Sequence, residues 1–442
     1  MISLEWNHAH IGRLKYPRSN TVTRELPEVY SNLLASEFSQ GQLQFLDLAF
    51  RDEMTNDIHQ LLPHIRKFKH MLLLGIGGSA LGTRALQKAF FPQQDHYNHS
   101  GPWLWILDNV DPGELNTVIN VLPPSETLVV VVSKSGGTIE TLAQFFLVKK
   151  WFVDLMPETW REHFVFVTDP NSGFLREESA IDNIPALSIP PSLGGRYSVV
   201  SPVGMLPAAF IGLPWESFLD GIISINASIA SNPTSVETLV NHPAFQLAKW
   251  ANDLQLLDYN QLIFFSYIPS WASFGQWFAQ LWAESLGKEG RGTMPIPAVG
   301  VTDQHSLQQM FLDGPKNKGC IQIYSPDSRN DLIFPQTIPD KWHWLRGKPF
   351  SDLLNAETLA AAAALAHHEV PLLRIRVSNT DMFNAGEIMG MLMTATVLSG
   401  MFLNINPLDQ PAVELGKRLA YSRLGSLDYP SENDMLQKFM SE

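Results

Sequence analysis

The stretch LVVVVSKSGGTIETL, residues 128–142, limits the folds open to this chain more than any other. Five apolar residues, four of them β-branched, read as a strand buried on both faces, and the chain then turns at once into Ser, Lys, Ser, Gly, Gly, Thr. The next segment, TIETLAQFFLVKK, carries apolar residues at helical spacing and lysines in its last turn, so the unit is strand, hydroxyl-and-glycine loop, helix. HMLLLGIGGSALGTRALQKAF and PWLWILDNVDPGELNTVINVL repeat the pattern, and HFVFVTDPNSGFLREES adds a strand with a turn. Such alternation implies a parallel, doubly wound sheet between helical layers. A second series comes later in the chain in YNQLIFFSYIP, MPIPAVGVTDQHSLQQMFLDG, GCIQIYSP and PLLRIRVSNTD, interleaved with helices such as SWASFGQWFAQLWAESLGK and an Ala-rich run. The expectation is an α/β fold of two doubly wound domains with mainly parallel sheets in three α/β/α layers. The domains fall at 47–230 and 231–421, joined where polar and turn residues cluster at 225–243. A segment 1–46 precedes them and a tail 422–442 comes after.

The 442 residues are enough for two or three domains of ordinary size, and 45% apolar content supplies their cores. With 31 basic against 44 acidic residues the formal net charge is -13, which opposes bulk attraction to nucleic acid or an anionic membrane but leaves room for a small-anion pocket. Cys320 is the only cysteine, so the chain has no internal disulfide and no cysteine metal cluster, in keeping with a reducing compartment such as the cytosol. The opening MISLEWNHAHIGRLKYPRSN is charged throughout and lacks the apolar centre of a secretory signal. Residues 388–408 are uncharged, yet Gly, Thr, Ser, Asn and Pro break the run below the roughly 20 residues a bilayer needs, so a buried helix is expected.

In open sheets of this kind ligands sit beyond the carboxyl ends of the strands. One such loop, Gly75 to Gly82, matches the loose dinucleotide pattern G-x-G-x-x-(G/A). Asp108 ends the next strand later than a ribose-holding acid would stand, and Ser79 at the helix start suits an anion or sugar contact; a tight turn with glycine for packing remains open. The loop of the opening stretch is more telling. Ser133, Ser135 and Thr138 bring three hydroxyls to a helix N-terminus, while Gly136 and Gly137 let backbone N–H groups approach a ligand. The order is not that of a nucleotide P-loop, which points to a monophosphate; a Ser/Thr cap would explain one hydroxyl.

Four further residues stand in positions that carry chemistry. Arg196 follows Gly194 and Gly195, which let the backbone bend and the guanidinium enter a cleft; a salt-bridged surface arginine fits equally. Glu284 shares a helix face with Trp277 and Leu281 near an end at Gly287, where burial and the helix dipole both favour its protonated form and suit a general base, unless Lys288 or Arg291 pairs with it. His305 follows a strand end and opens a helix, as an acid–base imidazole or a packing residue. Lys417 shares a face with Val413, Gly416 and Ala420, small residues that leave room for a ligand, unless it is a solvated surface lysine. Ser201 and Pro202 read as the cap and first residue of another helix.

Together, GIGGSALG, SKSGGTIET, GGRYSVVSPVG, AESLGKEG, TDQHSLQQMF and VELGKRLA resemble the motifs of phosphoglucose isomerase in their order from Gly75 to Lys417. The resemblance implies sugar-isomerase (SIS) domains and interconversion of glucose 6-phosphate and fructose 6-phosphate through a cis-enediolate, in glycolysis and gluconeogenesis, with no metal or redox cofactor. It implies that Ser133, Lys134, Ser135 and Thr138 bind the sugar phosphate, that Gly78 and Ser79 contact the sugar, and that Gln280 and Gln410 line the site. Glu284 matches the base between C2 and C1, Arg196 the cation for the enediolate, and His305 and Lys417 the ring-opening pair. The family is dimeric and takes its histidine from the partner subunit. Leu281 stands where many members have Gly, and Leu286 interrupts the common Glu-Ser-Asn-Gly-Lys run; neither removes a reacting group. A bifunctional phosphoglucose/phosphomannose isomerase, a sugar-phosphate sensor without catalysis and a nicotinamide-dependent dehydrogenase are the alternatives.

Overall fold

The computed structural model describes residues 2–11, 25–326 and 331–441; residues 12–20 of the charged N-terminal stretch lie outside them. The strands are β1 (Ile2–His8), β2 (His70–Leu74), β3 (Trp103–Leu107), β4 (Thr127–Ser133), β5 (Phe164–Thr168), β6 (Ala186–Ser188), β7 (Gln261–Ser266), β8 (Met294–Val299), β9 (Lys318–Tyr324) and β10 (Leu372–Val377). They form two five-stranded sheets, ordered β3-β2-β4-β5-β6 and β1-β10-β9-β7-β8. Every pairing is parallel except β1 with β10. The mainly parallel α/β fold expected from the alternating pattern is the fold observed.

All seven residues of β4 are buried. Leu128, Val130 and Val132 pack with Met71 and Leu73 on one face, and Val129 and Val131 pack with Leu72 and Leu74 on the other. Two-sided burial explains why this strand is an unbroken apolar run, each valine contributing about 1.5–3 kcal/mol of burial. From β2 the chain crosses to β3 on one side and then to β4 on the other, with Leu74 level with both Leu107 and Val131. The crevice between β2 and β4 is therefore the topological switch point where such sheets take ligand.

Within the segment 1–46, β1 joins the second sheet at its edge. Glu5 is level with Arg374, accepts from its Nη1 at 2.9 Å, and accepts from the Tyr324 hydroxyl at 2.5 Å. The uncharged stretch near residue 388 is a helix, Met382–Leu403, packed against the helices Trp215–Ser231 and Pro243–Leu256. It is the only described helix long and apolar enough to cross a membrane, and 89% of its 18-residue apolar window is buried inside the protein. In the tail, the helix Pro430–Ser441 packs on Glu414–Arg423, with Arg418 donating to Glu432 at 2.7 Å.

Candidate active site

The two loops at the switch point are closed structures. At the end of β4 the Ser133 and Thr138 hydroxyls hydrogen-bond each other at 2.9 Å, and the Ser135 hydroxyl accepts from the Gly137 N–H at 3.2 Å. Gly136 has φ +66°, and a side chain there would strike the backbone at Gly173, so the turn requires glycine. Thr138 is the N-cap of the helix Ile139–Leu155 without a side-chain capping bond, which leaves its first-turn N–H groups to a ligand. Burial depresses the Lys134 ammonium below the usual lysine range; Asp169 opposes this and Arg196 adds to it. A lysine with too little negative charge around it suits an anion site.

At the end of β2, Gly78 lies against the backbone of the Arg196 loop, where a Cβ would overlap the Gly195 carbonyl group. The Ser198 hydroxyl donates to the Gly195 carbonyl at 2.7 Å and lies 3.2 Å from the Gly78 carbonyl where the loops meet, with Ser79 next in the chain. Asp108, the one acid in reach of a dinucleotide reading, already accepts from Arg84 at 2.9 Å. Ser201 caps the helix Pro202–Phe210 as expected, its hydroxyl accepting from the Val203 N–H.

Arg196 is buried, its side chain 1% exposed. Nε donates to the Ser285 hydroxyl at 2.6 Å; Nη1 donates to Glu284 Oε1 at 3.0 Å and Gln410 Oε1 at 2.8 Å; Nη2 donates to the carbonyls of Pro407 at 2.6 Å and Asp409 at 3.1 Å. All five N–H donors of the guanidinium are satisfied. The surface-arginine alternative is excluded by this burial.

Glu284 lies near the end of the helix Ala272–Leu286, which Gly287 terminates as the sequence indicates. Its carboxylate is not left among apolar side chains, because Arg196 takes one oxygen and Gln280 Nε2 donates to the other at 2.9 Å. Nor do Lys288 and Arg291 pair with it. Lys288 holds the Asp409 side chain at 2.8 Å together with the Asn406 and Asp409 carbonyls, and Arg291 donates to the Leu403 carbonyl. Gln280 stands under the β2 loop, where its amide would meet a side chain at Gly77, and its Oε1 has no hydrogen-bond partner among the described residues.

The chain therefore brings together Gly78, Arg196, Gln280, Glu284 and Gln410, with the Ser133–Thr138 loop on the neighbouring strand. It does not bring His305 or Lys417 to Glu284. His305 is exposed and closes a 3-10 turn, Thr302–Gln304, rather than opening a helix. It follows β8, against whose Pro297 the helix Ala272–Leu286 sets Gly275, while Trp282 bonds to Thr293 before that strand begins. Helix and strand are antiparallel, so Glu284 and His305 lie toward opposite ends of this layer, with about 14 Å of helix between Gly275 and Glu284 alone. Lys417 donates to Glu414 at 2.7 Å on a partly exposed face of Glu414–Arg423, where Gly416 has open space around it.

Ser285 and Tyr197 escape a reading of the sequence alone. The signal is present for Ser285, which stands four residues after the buried Leu281 on an apolar helix face, where a hydroxyl needs a partner.

Two mainly parallel sheets, an anion-suited hydroxyl loop at a switch point and a guanidinium–carboxylate pair beside it define an α/β protein built to hold a small anionic substrate next to an acid–base centre. The family model of phosphoglucose isomerase matches residues 63–312. A glucose-6-phosphate isomerase of Rubrobacter xylanophilus is 35% identical over 367 residues, covering 80% of this chain and 82% of that relative. Among solved structures, a hypothetical protein of Thermus thermophilus superposes with TM-score 0.85 at 32% identity, over 96% of this chain and all of that one. A glucose-6-phosphate isomerase of Chlamydia trachomatis gives TM-score 0.71 at 25% identity, over 88% of this chain and 76% of the other. The chain belongs to the phosphoglucose isomerase family.

Proposed function

We propose that this chain interconverts glucose 6-phosphate and fructose 6-phosphate by proton transfer between C2 and C1 through an enediolate. The observation that carries the reading is the Arg196 Nη1 to Glu284 Oε1 contact at 3.0 Å beside the β4 loop. Aldose–ketose conversion needs a base for a carbon-bound proton, a cation where oxyanion charge develops, and a grip on the unreactive phosphate. Glu284 is the base and Arg196 the cation. As Glu284 takes the proton from carbon its charge is lost, while the substrate oxygen gains one. The guanidinium then exchanges one anionic neighbour for another without moving far, which is electrostatic preorganisation.

The loop of Ser133, Lys134, Ser135 and Thr138 holds the phosphate, and binding energy from that end positions the reacting carbons. Gly78 and Ser79 line the sugar, with Gln280 and Gln410 setting the carboxylate and guanidinium. Lys417 and His305 open the ring, Lys417 by exchanging Glu414, the carboxylate it holds at 2.7 Å, for the bound sugar. His305 serves the site of a second copy in a homodimer: it is exposed, far along the helix layer from Glu284 of its own chain, and follows the carboxyl end of β8, as a segment with exposed Leu332, Ile333, Trp342, Trp344 and Phe350 follows the carboxyl end of β9 in the same sheet. The test is conversion of fructose 6-phosphate to glucose 6-phosphate, read by a coupled glucose-6-phosphate dehydrogenase with chelator present. Absence of product sinks the reading.

A further inference from the structure

Beyond the groups that touch substrate in this reading, a closed ring of hydrogen bonds runs behind the guanidinium. Arg196 Nε donates to Ser285 Oγ at 2.6 Å, Ser285 Oγ lies 3.1 Å from Tyr197 Oη, the tyrosine reaches the Pro407 carbonyl, and Arg196 Nη2 donates to that same carbonyl at 2.6 Å. Direction at the arginine follows from the groups themselves. Arginine only donates and a carbonyl only accepts, so Ser285 accepts from Nε; either hydroxyl of the Ser285–Tyr197 pair can donate to the other, and the Pro407 carbonyl accepts from Nη2 and lies 3.4 Å from Tyr197 Oη. Ser285, Tyr197 and Arg196 are all buried, and burial pushes the tyrosine hydroxyl up, so it stays neutral and keeps the proton it donates. The Tyr197 ring stacks on Phe45 at 5.1 Å, which keeps it from turning away.

Nε and Nη2 are thus held by uncharged partners on the side away from Glu284, and only Nη1 faces the side chains of the reaction centre, Glu284 and Gln410. Neutral partners fix the guanidinium without cancelling its charge. We propose that Ser285 and Tyr197 are positioning residues that lock the orientation of Arg196, so that Nη1 alone meets the oxyanion formed in isomerisation. This rests on the isomerase reading above.

The test is steady-state kinetics of fructose 6-phosphate conversion for Ser285→Ala, Ser285→Thr, Tyr197→Phe and the Ser285→Ala/Tyr197→Phe double variant of the full chain, each first shown folded by circular dichroism. Ser285→Ala removes the Nε acceptor, and kcat is expected to fall about 10–100-fold, because a small misplacement of a preorganised donor is costly. KM should change less than about threefold, since the phosphate loop is untouched. Ser285→Thr keeps the hydroxyl and recovers most of the loss. Tyr197→Phe leaves Ser285 in place and slows kcat about 3–10-fold, yet adds nothing in the Ser285→Ala background, because both changes open one ring. If Ser285→Ala does not fold, Tyr197→Phe carries the test by its kcat-only effect.

Wild-type kcat in folded Ser285→Ala or Tyr197→Phe, or equal slowing by Tyr197→Phe in both backgrounds, overturns the positioning role alone. A wild-type chain without turnover overturns both this inference and the isomerase reading.

Discussion

Nη1 of Arg196 donates to Oε1 of Glu284 at 3.0 Å, the guanidinium side chain 1% exposed and the carboxylate side chain 24% exposed, so a deeply buried cation meets a carboxylate that solvent can still reach. The pair spans the molecule's two halves, since Arg196 follows the last strand of the first sheet and Glu284 ends a helix of the second.

Glu284→Gln is expected to lower kcat by about 10²–10⁴-fold, the range for losing a general base, with KM within a few fold. The amide oxygen still accepts from Arg196, so the fold and the sugar site persist while the base does not. Coupled assay and thermal denaturation check both halves, and near wild-type turnover removes Glu284 from the mechanism.

Arg196→Lys keeps one charge but cannot reach the five acceptors that the guanidinium fork satisfies. Leaving Glu284 and the Pro407 and Asp409 carbonyls short of donors should cost about 3–5 kcal/mol of stability, as for other broken buried pairs. Urea unfolding reads this loss. A variant as stable as the parent shows that the loop 406–410 is held by Lys288 instead.

Phosphate affinity should weaken as pH rises. Burial and Arg196 hold the free Lys134 ammonium below its usual range against the pull of Asp169, so the lysine loses its proton at a lower pH than usual. A bound dianion stabilises the charged form and raises that pKa, so binding takes up a proton above the free-state value and affinity falls with rising pH. Competition by inorganic phosphate across alkaline pH, with Lys134→Met as the flat control, measures it; identical slopes for both contradict the assignment.

Away from the site, Asp182 is pushed up by burial but more strongly down by Lys149 at 2.9 Å and Arg161 at 3.0 Å, so its carboxyl sits below the usual range. A depressed folded pKa stabilises above the unfolded value of about 3.9 and loses that contribution as pH falls through the folded value. Asp182→Asn should therefore cost about 1.5–3 kcal/mol at pH 7, the worth of hydrogen bonds to a charged group, and progressively less as pH falls from the unfolded value through the lower folded one. Denaturant unfolding of both proteins at pH 7 and down an acid series decides it.

If His305 serves a partner's site, mixing the inactive variants His305→Ala and Glu284→Gln, after unfolding and refolding together, regenerates about a quarter of wild-type activity, because half the random dimers then hold one intact site of two. No recovery on mixing places His305 in its own chain's site or outside catalysis.

Much of the site is legible along the chain because each loop announces its own geometry. Gly136 marks a turn that only glycine makes, Ser201 with Pro202 marks a helix start, and Gly287 marks a helix end. Spacing from Trp277 and Leu281 places Glu284 correctly but points to the wrong partners: Lys288 and Arg291 are near in sequence, whereas Arg196 is 88 positions away and arrives only through packing. Nor does spacing hint that β1 travels to the edge of the second sheet, where Glu5 meets Arg374 at a separation of 369 positions.

Strand, loop and helix can be read from the amino-acid order because side-chain period, caps and glycines act within a few residues of one another. The same order supplies the chemical inventory, a carboxylate, a guanidinium and a hydroxyl loop. Which of these groups meet is a property of the folded chain. Arg196 joins Glu284, Ser285 and Gln410, while Lys417 pairs with Glu414 instead, because contacts between distant segments depend on how two sheets and their helices pack as whole bodies, and that packing has no local signature.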